Sequence, residues 1–440
     1  MLSKEDNEIL TQVGAGTPMG ELLRRYWMPA CLSSEVAEPD GDVARVRLLG
    51  EHLVAFRDSE GKVGVIDEEC PHRGASMFFA RNEECGLRCI YHGWKFDVNG
   101  QCVDQPSEIR SFADRIKIRS YPVHESGGIV WTYLGAPETM TPFRDFGTES
   151  LAPEEYAVSK EVVHCNWVQS LDGEADTTHI SNLHQFFAID EIPDDGTDRP
   201  GYPSNYMSMK IWRHDPKAII ELDDHWYGFR YAGIRRTPNG HRHVRMTAFI
   251  LPSTALIANV PFGTGHIMHA PIDDGATTRY TFASQVRRNP KGYGGPPFFT
   301  VPNYPYDQGR TGAIVERDLT ADNNYGFSRE LQKTRSFSGI PNFKVQDNLV
   351  TETAGRVYDR THEHLGSGDL AVIRLHQRLL DAAKGLQAGK EPPALTGQGD
   401  FRSVRSAEKI LEQDEDWRIL GTDDDPAVQE AGMVPAKAGE

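Results

Sequence analysis

Between about Val43 and Leu134 the apolar positions gather in short runs ("VARVRLLG", "HLVAFRD", "VGVIDEEC", "GIVWTYLG") broken by Gly, Asp and Asn. Runs of this length rich in Val, Ile, Phe, Trp and Tyr predict an all-β domain of hairpins, with "DVNGQC" as an Asn-Gly turn. Ahead of it "TPMGELLRRYW" predicts a helix, because Thr17 before Pro18 is a start signal. A Pro-containing link, "GAPETMTPF", follows the β-rich stretch. Beyond it the pattern is mixed α+β, with predicted strands "SKEVVHCNWVQS", "GFRYAGIRR" and "HVRMTAFILP". From about Arg288 to Asn342 periodicity fades and Gly, Pro and Asn predict long loops. A helical period returns from about Asp369 through "LAVIRLHQRLLDAAKGLQ", and the tail "DDDPAVQEAGMVPAKAGE" is expected to be mobile. No internal repeat is visible. These shifts divide the chain into a helical segment 1–40, an all-β domain 41–140, a larger mixed domain 141–385 and a C-terminal helix with a mobile acidic tail, 386–440.

A length of 440 residues allows two or three such domains. The formal net charge of −17 argues against nucleic acid as the main partner. No apolar run reaches the length of a membrane span, and the polar start "MLSKEDNEIL" lacks the apolar region of a signal peptide. Cys31, Cys85, Cys102 and Cys165 have no disulfide-framework spacing, so a reducing cytoplasm is the expected location.

The other two cysteines stand in a more informative pattern. "CPHRGASMFFARNEECGLRCIYHGWKFD" contains Cys70-x-His72, then sixteen residues, then Cys89-x-x-His92. A structural zinc site usually takes two like ligands from each loop, whereas each loop here supplies one Cys and one His. If two loops clasp a two-iron cluster from opposite sides, one iron takes both thiolates and the other both imidazoles, the ligand arithmetic of a Rieske [2Fe–2S] centre. On Cys70, His72, Cys89 and His92 the chain resembles the Rieske proteins. Where high-potential relatives carry an extra disulfide pair stand Ala75 and Tyr91, and Trp94 replaces their Ser after His-Gly. The resemblance therefore implies the low-potential centre of bacterial oxygenases.

A second candidate site lies in "NWVQSLDGEADTTHISNLH", which reads Asp176-x-x-His179-x4-His184. Asp176 and His179 share a face if the segment is helical. His179 and His184, five apart, would be splayed by about 140° on a regular helix. Convergence on one ion would need a local widening such as a π-type turn. On spacing alone, structural hydrogen bonding is an equal alternative to metal binding.

Beside a Rieske motif, however, this stretch resembles the Asp-x-x-His-x4-His motif of Rieske non-haem iron oxygenases. "NFKVQDNLVTETAGRVYDRTHEHLGSGD" and "RELQKTRSFSGIPN" resemble their phthalate dioxygenase-like branch, which includes lignin-derived aryl O-demethylases. The resemblance runs from "GTPMGELLRRYW" to about Ala383, with Asp172 replacing a Glu of many relatives. It implies an α+β fold: an N-terminal all-β Rieske domain and a C-terminal helix-grip (START-like) catalytic domain with an antiparallel sheet. It further implies that His179, His184 and Asp347 bind a mononuclear Fe(II) as a 2-His-1-carboxylate triad, with Glu352 and Asp359 as competing carboxylates. Asp176 would bridge to the cluster of a neighbouring subunit in a homotrimer or stacked hexamer. The expected partners are O2, a small aromatic substrate and a reductase or ferredoxin that brings electrons from NAD(P)H. The implied reaction is ring dihydroxylation or O-demethylation of an aromatic carboxylate or methoxylated aromatic acid. Arg230 and Arg245 are candidate anchors for its carboxylate, against the simpler reading of solvated strand charges. A Rieske electron carrier without oxygenase activity and a zinc-stabilised binding module remain as alternatives from other classes.

Overall fold

In the computed structural model of the protein the described residues are all except 150, 188, 190–192, 259–261, 264, 285–312, 315–317, 396–398 and 433–440. Helix α1 (Lys4–Thr11) is capped by the Ser3 hydroxyl, and α2 (Pro18–Arg24) by Thr17 Oγ1, which accepts from the Gly20 N–H at 3.1 Å. The expected helical segment 1–40 ends sooner than the pattern suggested. Trp27–Leu32 is a strand paired with Ile129–Tyr133 in a three-stranded sheet, because both runs are apolar enough to be buried on each face. The β-rich stretch then forms two small antiparallel sheets. One joins Ala44–Leu48, Glu51–Arg57, Val63–Asp67 and Ser120–Tyr121; the other joins Arg81–Asn82, Leu87–Arg88, Lys95–Phe96 and Cys102–Asp104. The Asn-Gly turn is present, with Gly100 at φ +75° and the Ile118 carbonyl 2.1 Å from where a Cβ would stand.

Among the described residues ten strands form a fourth, much larger sheet. Its main order is Ile219–His225, Gly228–Arg236, Arg242–Ile250, Thr254–Leu256, His266–Asp273, Ala276–Ser284, Tyr156–Val163 and Ala313–Ile314. The strand predicted in "SKEVVHCNWVQS" stops at Val163. Asn166 Oδ1 accepts from the Val168 N–H at 3.2 Å and starts α3 (Trp167–Ala175), so the second half of that run is helix. Helix α4 (Asn205–His214) follows, then α5 (Arg329–Thr334) inside the stretch expected to be all loop, much of which lies outside the described residues. Helix α6 (Phe343–Thr353) leads to α7 (Leu370–Gln387), the helix its periodicity predicted. Helix α7 buries Ala371, Leu375, Leu379 and Ala383 at four-residue spacing and packs on α1, α2, α3 and the Ile219–His225 strand. An all-β N-terminal part followed by an antiparallel sheet with helices is the α+β fold expected.

The C-terminal tail, expected to be mobile, is a correction over its described residues. Ser406–Leu411 is a strand of the large sheet, paired with Arg242–Ile250, and α8 (Pro426–Glu430) buries Val428 completely. The reason lies in strand alternation. Along Gly228–Arg236 one face carries Phe229, Tyr231, Gly233 and Arg235 toward α3, and the other carries Arg230, Ala232 and Ile234. That second face is apolar and needs a cover, which Trp417, Leu420 and Val428 provide. Residues 433–440 lie outside the described set.

Candidate metal centres

The Cys70 and Cys89 loops are two copies of one six-residue turn. In the first, the Cys70 N–H donates to Ala75 O and the Gly74 N–H to Cys70 O, both at 2.9 Å; in the second, Cys89 N–H donates to Trp94 O at 2.8 Å and Gly93 N–H to Cys89 O at 2.9 Å. Both turns need a left-handed residue at the fifth position, and Gly74 (φ +70°) and Gly93 (φ +78°) supply it. His72 stands third in its turn and His92 fourth in the other, and their ring centroids come within 4.4 Å. The two thiols are buried, while both imidazoles reach the surface. Burial pushes the Cys70 thiol up to about 11, with His72 and Arg73 backbone N–H groups lowering it and Cys89 raising it. Trp94 stacks on His72 at 4.3 Å and Tyr91 lies on His92 at 3.9 Å, so Tyr91, at one position of the extra pair of high-potential relatives, and Trp94, at their Ser, wall the site. Among the described residues the buried Nδ1 of His92 has no hydrogen-bond partner. An orphaned imidazole nitrogen beside a second imidazole and two facing thiols is the donor set that a His₂Cys₂ cluster requires.

The second group is assembled differently. Helix α3 stops at Ala175, and Asp176 turns its carboxylate forward over the next residues. Oδ1 accepts from Thr178 N–H and Oγ1, both at 2.6 Å; Oδ2 accepts from the His179 N–H at 3.2 Å and lies 3.3 Å from His179 Nδ1. Burial alone would raise the Asp176 carboxyl, but His179 and Thr178 hold it down at about 2. The expected π-type widening is absent from this segment. A short 3₁₀ turn, His179–Ser181, follows the end of α3, and the His179 carbonyl closes it by accepting from the Asn182 N–H at 3.0 Å and the Leu183 N–H at 2.8 Å. That tight turn, rather than a wider helix, brings His184 Nε2 to 3.2 Å from His179 Nε2.

Helix α6 completes the group. Asp347 Oδ1 lies 3.0 Å from His184 Nε2 and 3.7 Å from His179 Nε2, and these three ligand atoms all lie within 4.8 Å of one another. Burial would raise the Asp347 carboxyl, yet His184, His179 and the nearby Arg279 charge hold it below its usual range. The neighbouring Gln346 was not singled out by its sequence, although it adjoins Asp347. Its Oε1 lies 2.6 Å from His184 Nδ1, while its Nε2 donates to Ile340 O at 2.9 Å. With its amide committed in that sense, Gln346 can only accept from His184 Nδ1–H, which leaves the Nε2 lone pair for a metal. Phe343 stacks on the same ring at 3.5 Å. Two imidazole nitrogens and one carboxylate oxygen can hold one ion and leave coordination positions open.

The competing carboxylates have other partners. Glu352 accepts from the His164 N–H and the Tyr325 hydroxyl, and Asp359 caps the Arg360–His362 turn. Asp172 is tied to His376 at 2.8 Å and Arg360 at 2.7 Å, which joins α3 to α7. The two candidate arginines fall on opposite faces of the sheet, since Arg245 pairs with Gly233 and Arg230 with Ala248. Arg230 donates to Asp223 and to the Arg418 and Leu420 carbonyls, so it fastens the C-terminal segment on the face away from α3. Arg245 faces the α3 side, 3.2 Å from Glu408 and with its guanidinium 4.5 Å over the Trp212 ring. Glu408, which comes from the C-terminal strand, gave no signal in the sequence beyond an ordinary alternating run.

Comparison with known proteins decides the family. A model described as Rieske [2Fe-2S] domain matches residues 26–122, and one described as LigXa C-terminal domain like matches residues 132–438. The chain belongs to the Rieske non-haem iron oxygenases. This oxygenase subunit is 38% identical over 432 residues to the phthalate 4,5-dioxygenase oxygenase subunit of Pseudomonas putida, covering 95% of this chain and 94% of that one. It is 35% identical to the 3-chlorobenzoate-3,4-dioxygenase oxygenase subunit of Comamonas testosteroni, covering 95% and 97%. It is 29% identical to the 5,5'-dehydrodivanillate O-demethylase oxygenase subunit of Sphingobium sp., covering 90% and 84%. In fold it resembles dicamba monooxygenase bound to dicamba, at a TM-score of 0.55 and 20% identity, covering 84% of this chain and 99% of that one. The enzyme therefore works with a Rieske [2Fe–2S] cluster, a non-haem iron and O2, with electrons supplied by a partner. No helix among the described residues is long and apolar enough to cross a membrane.

Proposed function

We propose that this oxygenase subunit oxidises an aromatic carboxylic acid, by ring dihydroxylation or, for a methoxylated ring, by O-demethylation. The named activities of its relatives on phthalate, 3-chlorobenzoate and 5,5'-dehydrodivanillate support that substrate class. In this reading Cys70, His72, Cys89 and His92 hold the cluster, and His179, His184 and Asp347 hold the iron. The observation that carries it is the convergence of His179 Nε2, His184 Nε2 and Asp347 Oδ1 within 4.8 Å, with Gln346 setting the His184 tautomer. When bound, the cluster supplies electrons and the iron activates dioxygen.

The chain's own side chains have the remaining tasks. Gln346 keeps the His184 proton on Nδ1. Asp176 keeps the His179 ring oriented through Nδ1. Its side chain is 22% exposed, which leaves it open to an imidazole of a neighbouring subunit. The apolar core around the cluster loops is separate from the one around α3, which favours a relay between subunits of a homotrimer or stacked hexamer over one within a chain. Arg245, on the α3 side, would anchor the substrate carboxylate, and the Trp212 ring under its guanidinium holds it in place. A reductase, with or without a ferredoxin, would bring electrons from NAD(P)H in a cytoplasmic setting. The test is oxygen uptake with product identification across phthalates, benzoates and methoxylated aromatic acids, with a compatible reductase. Stoichiometric oxygen uptake with one of these acids is the expected result; none with any of them would overturn the substrate class.

A further inference from the structure

The turn that carries Asp176 and His179 is laid along a single strand. The residues of Gly228–Arg236 that face α3 meet it at successive points. The Tyr231 hydroxyl donates to Glu174 O at 3.1 Å. Next along the row, a Cβ on Gly233 would stand 2.4 Å from Thr177 Cγ2, so the strand backbone lies directly against that side chain. Last, Arg235 Nη2 donates to Thr177 O at 2.5 Å and lies 3.5 Å from Ser181 Oγ. Thr177 is the residue after Asp176, and Ser181 closes the turn that begins at His179.

Arg235 is an unusual residue to find there. It is 1% exposed, and among the described residues its Nε and Nη1 have no hydrogen-bond partner. Burying a guanidinium with two of its nitrogens unpaired is costly, so what Nη2 achieves must outweigh that cost. Its acceptor is the Thr177 carbonyl, two residues beyond the end of α3. A cationic donor holds such a carbonyl more firmly than a neutral one.

We infer that Arg235 is a positioning residue for the mononuclear iron site, acting through Thr177 to hold the Asp176–Ser181 turn in register with His184 and Asp347. The inference rests on the reading of His179, His184 and Asp347 as the metal ligands. Without the guanidinium the turn keeps its internal hydrogen bonds and the Tyr231 bond to the end of α3, but loses its charged tie to the strand. His179 Nε2 is then free to drift from its place 3.2 Å from His184 Nε2.

The test needs no turnover. Protein that retains its cluster, judged by visible absorption, is freed of mononuclear iron and titrated with Co(II), whose own absorption bands report the geometry of the site. A single tight Co(II) in the parent that is lost in His184→Ala establishes the ligand reading; its absence would sink that reading and not only this inference. With that control in hand, Arg235→Met is expected to weaken Co(II) by about tenfold or more and to change its bands, with the cluster absorption unaltered. Arg235→Lys, which keeps one cationic donor, should recover most of the affinity. Gly233→Ala should weaken Co(II) as well, by pushing Thr177 from the same strand, and it carries the test if Arg235→Met does not fold. Parent-like Co(II) binding in Arg235→Met or in Gly233→Ala overturns the inference. So does an Arg235→Met enzyme that binds Co(II) normally and differs only in KM for a carboxylated substrate, since the guanidinium would then be a substrate anchor.

Discussion

On the proposed reading, the cluster loops and the iron triad are two ways of building a metal site. The four cluster residues lie within 23 positions, and each loop is shaped by its own backbone hydrogen bonds around a left-handed glycine. The triad draws on two elements more than 160 residues apart, and its shape depends on side chains from elsewhere: Asp176 on His179, Gln346 on His184, Phe343 beneath the ring. A local site carries its geometry in its own turn and tolerates change outside it. A distributed site is only as well made as the packing that brings its parts together.

The most severe way to break the comparison is Cys89→Ser. The variant should lose the Rieske absorption and EPR signal and all turnover, because a serine hydroxyl is a poor replacement for a thiolate on iron. A normal spectrum would mean that Cys89 is not a ligand. His184→Ala attacks the other site and should spare the first. We expect an unaltered Rieske spectrum, productive oxygen uptake abolished, and iron falling from about three to about two per chain by metal analysis. Retention of the third iron would contradict the triad.

A smaller effect sharpens the distinction. Gln346→Leu removes no ligand, yet His184 loses the acceptor that fixes its tautomer, so iron affinity should drop by about ten- to a hundredfold in chelator competition. No residue outside the cluster turns should have so large an influence on the cluster. Asp176→Asn keeps the size of the side chain but replaces one acceptor oxygen by an NH₂ donor. Both metal centres should remain, and single-turnover reoxidation of the cluster with substrate and oxygen should slow by about tenfold or more. Reoxidation at the parent rate would reduce Asp176 to a structural carboxylate.

The smallest effect tests the packing that the distributed site depends on. Glu408 joins the C-terminal strand to His243 and Arg245. Burial would raise its carboxyl, but the Arg245 charge and His243 hold it down at about 2, below its ordinary 4.5. A depressed carboxylate stabilises the fold above its unfolded value and loses that contribution as pH falls through the folded one. Stability should therefore decline between about pH 4.5 and 2 partly through Glu408. Glu408→Gln should flatten that part of an acid-unfolding curve followed by tryptophan fluorescence, and an unchanged slope would remove Glu408 from the account.

The same contrast explains which features are legible in the order of residues alone. Cys70, His72, Cys89 and His92, the proposed cluster ligands, are legible because a local turn sets its residues at fixed short spacing. Helix α7 is legible because its buried stripe recurs at the helical period, and the strand Gly228–Arg236 falls where its apolar run lies. Asp176, His179 and His184 can be picked out, but the geometry their spacing suggests is wrong. Spacing suggests a widened helix, whereas the helix ends at Ala175 and a 3₁₀ turn does the work.

By itself, then, the sequence determined the all-β and α+β halves, the cluster motif and the residue types of the triad. Resemblance to the family singled out Asp347. Only the tertiary structure decided that Gln346 orients His184, that Arg245 faces the α3 side while Arg230 faces away, and that residues 406–431 complete the sheet instead of trailing from it. The physical reason is the same in each case. Strand alternation sends neighbouring side chains to opposite faces, but which face meets which partner depends on how segments far apart in the chain bury their apolar surfaces together.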